Sequence, residues 1–260
     1  MQIGDLTLTP MSDGHFKMPP SFFAQEDWGA HQALAGEDGN IEIPIGCFLV
    51  RTGDVNVLID AGLGPMELPG QAKGGKLPSE LEKAGVKPED IDLVVLTHLH
   101  FDHIGWTVQN NALTFPNATL RFGEQDIEPF MGASSPDPFA TPTVQAFMAT
   151  GNVDPITSDG EIAPGISTIH APGHTLGHRC IVLSSGEDRV LLLGDSITCP
   201  MQLDETDWEA MSDVDKALAK RTREALWKEI ESSGAMAVGA HFPDLQFGRV
   251  LAGQGKRYFA

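Results

Sequence analysis

The sequence is poor in cysteine and has no long apolar run. Its three cysteines, Cys47, Cys180 and Cys199, are an odd number without a C-x-x-C pair, which indicates buried thiols in a reducing compartment rather than a disulfide framework. No run of about 18 apolar residues is present, so we expect no membrane-spanning helix. The amino terminus also lacks the basic, apolar and small-residue order of a secretory signal. The sequence therefore predicts a cytoplasmic protein.

Basic residues are scarce as well. Seventeen Lys and Arg stand against 36 Asp and Glu, which gives a formal net charge of −19. A surface of this charge repels polyanions and anionic membranes. Several basic residues fall in the segment 213–233, but neighbouring acids balance most of them and an apolar stripe makes the segment a solvated amphipathic helix. We therefore expect a small-molecule substrate as partner, and neither a nucleic acid nor a membrane.

The composition predicts one large domain over residues 1–260. Hydrophobic residues make up 41% of the chain and charged residues only 20%, which is far from the composition of disordered chains. Short apolar runs predict strands at 43–52, 56–60, 92–97, 118–122, 165–171, 180–184, 190–194 and 236–240. Helical patterns lie between them at 78–84, 124–131, 143–150 and 213–233. The pattern indicates a mixed α/β fold with two lobes.

The placement of the nine histidines is the strongest signal in the sequence. His98, His100, Asp102 and His103 follow the predicted strand 92–97 directly. Because residues i and i+2 of an extended segment project the same way, His98 and His100 can converge on one cation. Asp102 and His103 follow the bend and can face a second cation a few Å away. Four ligand-type residues in six positions argue against a chance group of surface histidines.

Three further candidate ligands each follow an apolar strand. They are His174, Asp195 and His241. Burying an ionised group unpaired costs several kcal/mol, and a bound metal removes that cost. All seven candidate ligands offer N or O donors, which suits Zn²⁺ and admits Mn²⁺, Co²⁺ or Fe²⁺. The sequence therefore predicts a centre of two divalent metal ions.

The ordered motifs resemble those of the metallo-β-lactamase superfamily. They are His98-x-His100-x-Asp102-His103, Pro172-Gly-His174-Thr-x-Gly-His178, Gly194-Asp195 and His241, with Leu58-Ile-Asp60-Ala-Gly62 similar to the family's first strand motif. The resemblance covers the chain from about residue 43 to its end. It implies a four-layer αββα sandwich, in which helices flank two mixed β-sheets and the site lies at one edge between the sheets.

The resemblance also implies a role for each ligand. His98, His100 and His174 would bind one metal, Asp102, His103 and His241 would bind the second, and Asp195 would bridge the two. Asp60 would support a ligand from behind, or would simply be a carboxylate in a turn at a strand end. A hydroxide held between the cations would be the nucleophile, because they lower the pKa of water toward neutrality. Asp102 and Asp195 are thus the predicted catalytic residues: Asp195 would set the metal separation, while Asp102 would orient the hydroxide and carry a proton to the leaving group.

Within the superfamily, the Pro-Gly-His-Thr-x-Gly-His segment, the length and the stretch His241-Phe-Pro are similar to lactonases and methyl-parathion-type hydrolases. This implies a small neutral ester as substrate, a lactone first and a phosphotriester second. Many acyl-homoserine lactonases place a tyrosine shortly after the bridging aspartate, whereas here Thr198 occupies that region and the only tyrosine is Tyr258. A glyoxalase II-like thioesterase, a mononuclear iron persulfide dioxygenase and a non-catalytic binding protein are the remaining alternatives.

Specificity is expected to depend on loops at 14–40, 62–78 and 132–142. The amino-terminal 42 residues predict a strand and an aromatic loop with Phe16, Phe22, Phe23 and Trp28. This loop could be a wall of the substrate pocket, a contact in a homodimer, or a separate small hydrophobic cluster. Trp106 and Phe242, next to candidate ligands, are further candidates for the pocket wall.

Overall fold

A computed structural model describes residues 1–132, 134–253 and 256–260. Strands β1 to β17 are Gln2–Ile3, Leu6–Met18, Ile41–Thr52, Val55–Ile59, Glu67–Leu68, Ala72–Lys73, Leu93–Val95, Val108–Gln109, Ala112–Leu113, Thr119–Arg121, Gly160–Ala163, Ile166–His170, Arg179–Ser185, Asp188–Leu192, Met236–Val238, Val250–Gly253 and Lys256–Phe259. Helices α1 to α5 are Leu77–Lys83, Phe101–Ile104, Ile127–Met131, Ala140–Thr150 and Lys216–Ser233. Short 3₁₀ turns lie at Pro20–Phe23, Gly29–Leu34, Pro88–Asp90, Glu124–Asp126, Pro200–Leu203 and Pro243–Leu245.

The strands form two mixed sheets. The first has the order β10-β7-β4-β3-β2-β6-β5, with β1 also paired to β2. Its long strands β2, β3 and β4 are antiparallel, whereas β4, β7 and β10 run parallel. The second sheet has the order β11-β12-β13-β14-β15, and only its last pair is parallel. Every strand predicted from the apolar runs is present, and the amino-terminal strand extends over thirteen residues.

Side chains along the central strands point alternately to the two faces of the first sheet, so each strand contributes to two hydrophobic cores. In β3, Phe48 and Val50 face the core between the two sheets, whereas Leu49 faces the core beneath α1 and α4. Both faces of this strand are buried, which is why its sequence is nearly continuously apolar. On the other side, Leu226 and Ile230 of α5 pack against the second sheet. The order of layers is therefore helix, sheet, sheet, helix, as the family resemblance implies.

The helices begin and end near their predicted bounds. The predicted helix 124–131 divides into a 3₁₀ turn and the short α3. Helix α5 begins after Asp215, whose side chain accepts from Leu218 N at 2.9 Å, and ends at Gly234 in the left-handed region. One feature of α5 differs from the prediction of a solvated amphipathic helix, because the basic residue Arg223 is only 3% exposed. The loop predicted at 62–78 carries the hairpin β5–β6, and the loop predicted at 132–142 includes residue 133, which lies outside the described residues.

The sheets bring several strand ends to one edge of the sandwich. Strands β4 and β7 are parallel neighbours, as are β14 and β15, so their carboxyl ends coincide. The segments that follow these ends carry the candidate ligands. The three cysteines are buried and form no disulfide. No helix in the described part of the chain is long and apolar enough to span a bilayer.

Candidate metal centre

Three histidines converge at the first group of candidate ligands. His98 Nε2 lies 2.8 Å from His100 Nδ1, and His100 Nδ1 lies 3.0 Å from His174 Nε2. His98 and His100 leave the end of β7, and His174 lies on the loop between β12 and β13. Helix α5 packs tightly on this loop: a Cβ on Gly173 would be 2.3 Å from Ala219 N, and Gly173 has a φ of +134°. Only glycine fits this position without strain.

Two carboxylates and two imidazoles form the second group. His103 Nε2 lies 3.4 Å from both Asp102 Oδ2 and Asp195 Oδ1. His241 Nε2 lies 3.4 Å from Asp102 Oδ2 and 3.3 Å from Asp195 Oδ2. One donor atom from each residue of a group falls within 4.8 Å of the others, which is close enough for the group to bind one metal ion.

Asp195 connects the two groups. Its Oδ2 is 3.4 Å from His174 Nε2 of the first group and 3.3 Å from His241 Nε2 of the second. The backbone N–H of Asp195 donates to His178 Nε2 at 3.0 Å, so His178 supports the loop and belongs to neither group. The structure thus brings all seven predicted ligands together, with the predicted bridging carboxylate between the two groups.

Other residues contact the ring nitrogen that points away from the centre in four of the candidate histidine ligands. His103 Nδ1 lies 2.8 Å from Asp60 Oδ2, and His174 Nδ1 lies 3.1 Å from Asp213 Oδ1. His241 Nδ1 lies 2.8 Å from a backbone carbonyl oxygen, and His98 Nδ1 lies 3.1 Å from a threonine hydroxyl. Such partners fix the ring orientation and tautomer of metal-binding histidines. Asp60 thus takes the supporting position behind a ligand that the resemblance implies.

The electrostatics of the two groups suit cations. Burial lowers the pKa of His98 well below its usual range and that of His100 to about 4, so both rings are neutral with free lone pairs. Burial also lowers the pKa of His241, but the carboxylates of Asp195 and Asp102 outweigh it and raise that pKa to about 10. His103 Nε2 and Asp195 Oδ1 are buried without a hydrogen-bond partner among the described residues. The donor set therefore fits two divalent ions, which would satisfy these atoms.

Two buried carboxylates that the sequence analysis did not single out hold the loops around the centre. Asp126 accepts from Gly177 N at 2.6 Å and from Thr175 Oγ1 at 2.9 Å, which fixes the loop that carries His174. Asp13 of β2 is fully buried and accepts from the indole of Trp106 at 2.8 Å. It also accepts from the backbone N–H groups of Leu63, Gly64, Gly75 and Leu77. No sequence motif marks either residue.

A cavity of about 430 Å³ opens onto both ligand groups. Its wall is mostly apolar and includes Phe16, Phe22, Ile43, Phe101 and Met211. The polar side chains at the wall, apart from the candidate ligands, are Lys17, Gln71, Thr198 and Ser212. The cavity is therefore suited to a largely uncharged molecule.

The aromatic loop divides between two environments. Phe16 and Phe22 line the cavity, whereas Phe23 and Trp28 are fully buried against Trp208, with ring centroids 5.4 and 6.1 Å away. The loop is thus both a pocket wall and a separate cluster.

The predicted wall positions of Trp106 and Phe242 are wrong. Trp106 turns toward Asp13, and Phe242 is fully buried with its ring centroid 5.2 Å from that of Phe259. Both follow candidate ligands in sequence, but the chain bends between the ligand and the aromatic residue, so neither reaches the cavity.

Several proteins with a named activity are similar to this chain in sequence. The N-acyl homoserine lactonase of Bacillus cereus is 25% identical over 211 residues, which are 74% of this chain and 80% of that enzyme. The N-acyl homoserine lactonase of a Bacillus sp is 25% identical over 169 residues, and this match spans only 63% of that enzyme's length. AiiB of Agrobacterium fabrum, another N-acyl homoserine lactonase, is 29% identical over 161 residues, 53% of this chain and 56% of that enzyme.

Solved structures agree with the fold. The dizinc quorum-quenching lactonase AidC, in complex with the product N-hexanoyl-L-homoserine, superposes with a TM-score of 0.89 at 23% identity over 100% of this chain and 95% of that one. The hydrolase AbOPH superposes with a TM-score of 0.85 at 24% identity over 100% of this chain and 94% of that one. The family model of the metallo-beta-lactamase superfamily matches residues 42–241, a span that includes all seven candidate ligands. This protein therefore belongs to the metallo-β-lactamase superfamily.

Proposed function

We propose that this protein is a binuclear metal-dependent hydrolase that opens a lactone ring. The observation that carries the proposal is the pair of ligand groups joined through Asp195 at the floor of a mostly apolar cavity. The named activity of the curated relatives, N-acyl homoserine lactonase, and the dizinc centre named for AidC support the same function. Zn²⁺ is the metal we expect.

The metals would be held as the two groups suggest. His98, His100 and His174 would bind the first ion, Asp102, His103 and His241 would bind the second, and Asp195 would bind both. When bound, such a pair of cations polarises the ester carbonyl and makes water acidic enough to act as a nucleophile near neutral pH.

The chain's own residues supply the proton transfers and the substrate site. Asp102 lines the cavity and is 6% exposed, so its carboxylate can accept the proton that the attacking water loses. The new bond forms between the water oxygen and the carbonyl carbon, and the ring C–O bond then breaks. Asp102 returns the proton to the leaving alkoxide, which yields a hydroxy acid. The apolar wall binds the substituent of the lactone and excludes water.

Thr198 takes the place of the tyrosine found in many lactonases. It lies three residues after Asp195 and lines the cavity, and its backbone N–H donates to Gln202 Oε1 at 3.0 Å. A threonine side chain is shorter than that of tyrosine, but the bond to Gln202 holds its backbone in place. We propose that its hydroxyl donates a hydrogen bond to the substrate carbonyl. The side chain of Tyr258 lies outside the described residues.

The other functions in the superfamily have less support. A glutathione thioesterase needs basic residues at the site, yet Arg249 donates to Gly234 O and Arg257 pairs with Glu224 and Glu231 on α5. The side chain of Lys256, the third basic residue of the tail, lies outside the described residues. A mononuclear iron dioxygenase would use only the first ligand group, and the second group then has no role. A phosphotriester fits the same neutral cavity and is the second candidate substrate.

Two predictions on assembly remain proposals. We propose that residues 1–260 form one domain, because β2 of the amino-terminal segment lies inside the first sheet beside β3. The possible homodimer also remains a prediction.

A hydrolysis panel tests the function. Zn²⁺- and Mn²⁺-loaded protein would be assayed by proton release on lactones with short and long acyl substituents, an aryl ester, a phosphotriester and a glutathione thioester. We expect turnover of the lactones and its loss in Asp102→Asn, whose metal content would be measured in parallel. No lactone turnover by protein that holds two metals, or full activity of Asp102→Asn, would contradict the proposal.

A further inference from the structure

Asp213 contacts a candidate ligand from behind. Its Oδ1 accepts a hydrogen bond from His174 Nδ1 at 3.1 Å, and the two side chains are only 2% and 1% exposed. Because Nδ1 is occupied, Nε2 is the nitrogen that faces the centre, 3.0 Å from His100 Nδ1 and 3.4 Å from Asp195 Oδ2. Asp213 therefore determines which nitrogen of His174 is available to a metal.

The second carboxylate oxygen of Asp213 has a different environment. Its Oδ2 is buried and forms no hydrogen bond within the described part of the chain. The nearest cation is the guanidinium of Arg223, with NH1 at 3.9 Å. Arg223 is itself buried, and its NH2 donates to Trp208 O at 3.1 Å. Arg223 thus offsets the charge of Asp213 without competing for the oxygen that binds His174.

The two ligand groups share this arrangement. In each group, one histidine has a carboxylate behind it: Asp213 stands behind His174 in the first, and Asp60 stands behind His103 in the second. A carboxylate at this position orients the imidazole and makes it a stronger electron donor. Asp60 follows strand β4 within a sequence motif, whereas Asp213 precedes helix α5 without one.

The segment that carries Asp213 also forms part of the cavity wall. Met211 and Ser212 line the cavity, and Met211 N donates to Phe22 O at 2.8 Å. Val214 N donates to His174 O at 3.2 Å, so the segment is joined to the metal-bearing loop by its backbone as well. A short stretch of chain therefore connects the substrate wall to the first ligand group.

We propose that Asp213 is a positioning residue: it orients His174 toward the metal of the first group, and Arg223 holds the Asp213 carboxylate in place. The inference rests on the metal centre of the proposed function and is independent of its substrate. The absence of lactone turnover would therefore not contradict the inference about Asp213, because that inference is tested by metal affinity.

The test uses the full chain in two backgrounds. His241→Ala weakens the second group, and His98→Ala weakens the first. In each background, Zn²⁺ affinity would be measured by competition with a chromogenic chelator, with and without Asp213→Ala. We expect Asp213→Ala to lower the affinity for the remaining Zn²⁺ by about 10- to 100-fold in the His241→Ala background. In the His98→Ala background, the affinity should fall by less than about twofold. The Zn²⁺ affinity of Asp213→Asn, which keeps an acceptor oxygen, should lie between that of Asp213→Ala and that of the chain with Asp213.

Controls separate positioning from folding. Asp207→Asn removes the same charge from the same loop. Asp207 is exposed, and among the described residues its ion pair is with Lys220, so this variant should bind both metals normally. The visible spectrum of Co²⁺-loaded Asp213→Asn should shift relative to that of the unsubstituted chain, which a purely structural role would not cause. Unchanged affinity in the His241→Ala background, or equal weakening in both backgrounds, would overturn the proposal. If the alanine variant does not fold, Asp213→Asn carries the same comparison.

Discussion

The protonation of Asp126 should appear as pH-dependent stability. This residue is fully buried and holds the loop that carries His174 through Thr175 and Gly177. Burial raises the pKa of Asp126 from 3.8 to about 6, against the hydrogen bonds from Gly177 and Thr175 that favour the charged form.

The direction in which stability changes with pH follows from proton binding. In the unfolded chain Asp126 titrates near its ordinary pKa, so between about pH 4 and pH 6 the folded protein holds a proton that the unfolded chain has released. The free energy of unfolding must therefore fall as the pH rises through this window. The shift from 3.8 to about 6 corresponds to at most about 3 kcal/mol at about 1.4 kcal/mol for each pH unit.

Urea unfolding of metal-free protein, followed by circular dichroism from pH 4 to pH 7, measures this term. Asp126→Asn keeps the size of the side chain and does not titrate, so the variant should gain stability relative to the original chain as the pH rises, by about 1–3 kcal/mol. Asp54→Asn, at an exposed turn, is the matched control and should show no such trend. A stability difference that is flat over this range, or one that runs the other way, would refute the reasoning.

Substitutions at four further positions test the site, its wall and the core behind the wall. Asp102→Asn should lower kcat for a lactone by about 10²- to 10⁴-fold because proton transfer is lost, with metal content measured by elemental analysis as the check. Thr198→Val should lower kcat/KM by about 3- to 10-fold, the value of one hydrogen bond, whereas Thr198→Ser should retain most of it. Phe22→Ala should raise KM about tenfold or more for lactones with long acyl substituents, and leave short ones unchanged in the same steady-state assay. Trp28→Ala should destabilise the fold by about 3–5 kcal/mol in thermal or urea unfolding, and a loss under 1 kcal/mol would contradict its place in the core.

Much of the architecture could be predicted from local patterns. The central strands are buried on both faces, so they appear as short apolar runs of β-branched residues, and Gly234 marks the end of α5. The candidate ligands could also be predicted from the sequence, because each follows a strand and the ends of parallel strands meet at one edge of a sheet. Strand bounds differed by one or two residues where the last residue of a run lies in the ligand loop rather than in the ladder.

Local sequence patterns were enough to predict the fold family and the seven candidate ligands, because both depend on the order of strands and on the residues at the strand ends. The residues that support this centre from behind could be found only after the chain was folded. Asp13, Asp126 and Asp213 contact loops that lie about 40 to 90 residues away in the chain, and nothing local marks an aspartate that will be buried against distant N–H groups. The same reason applies to the substrate wall. Trp106 and Phe242 stand beside ligands in sequence yet point into the core, whereas Phe22 reaches the cavity from the other end of the chain, because the packing of loops sets the direction of a side chain.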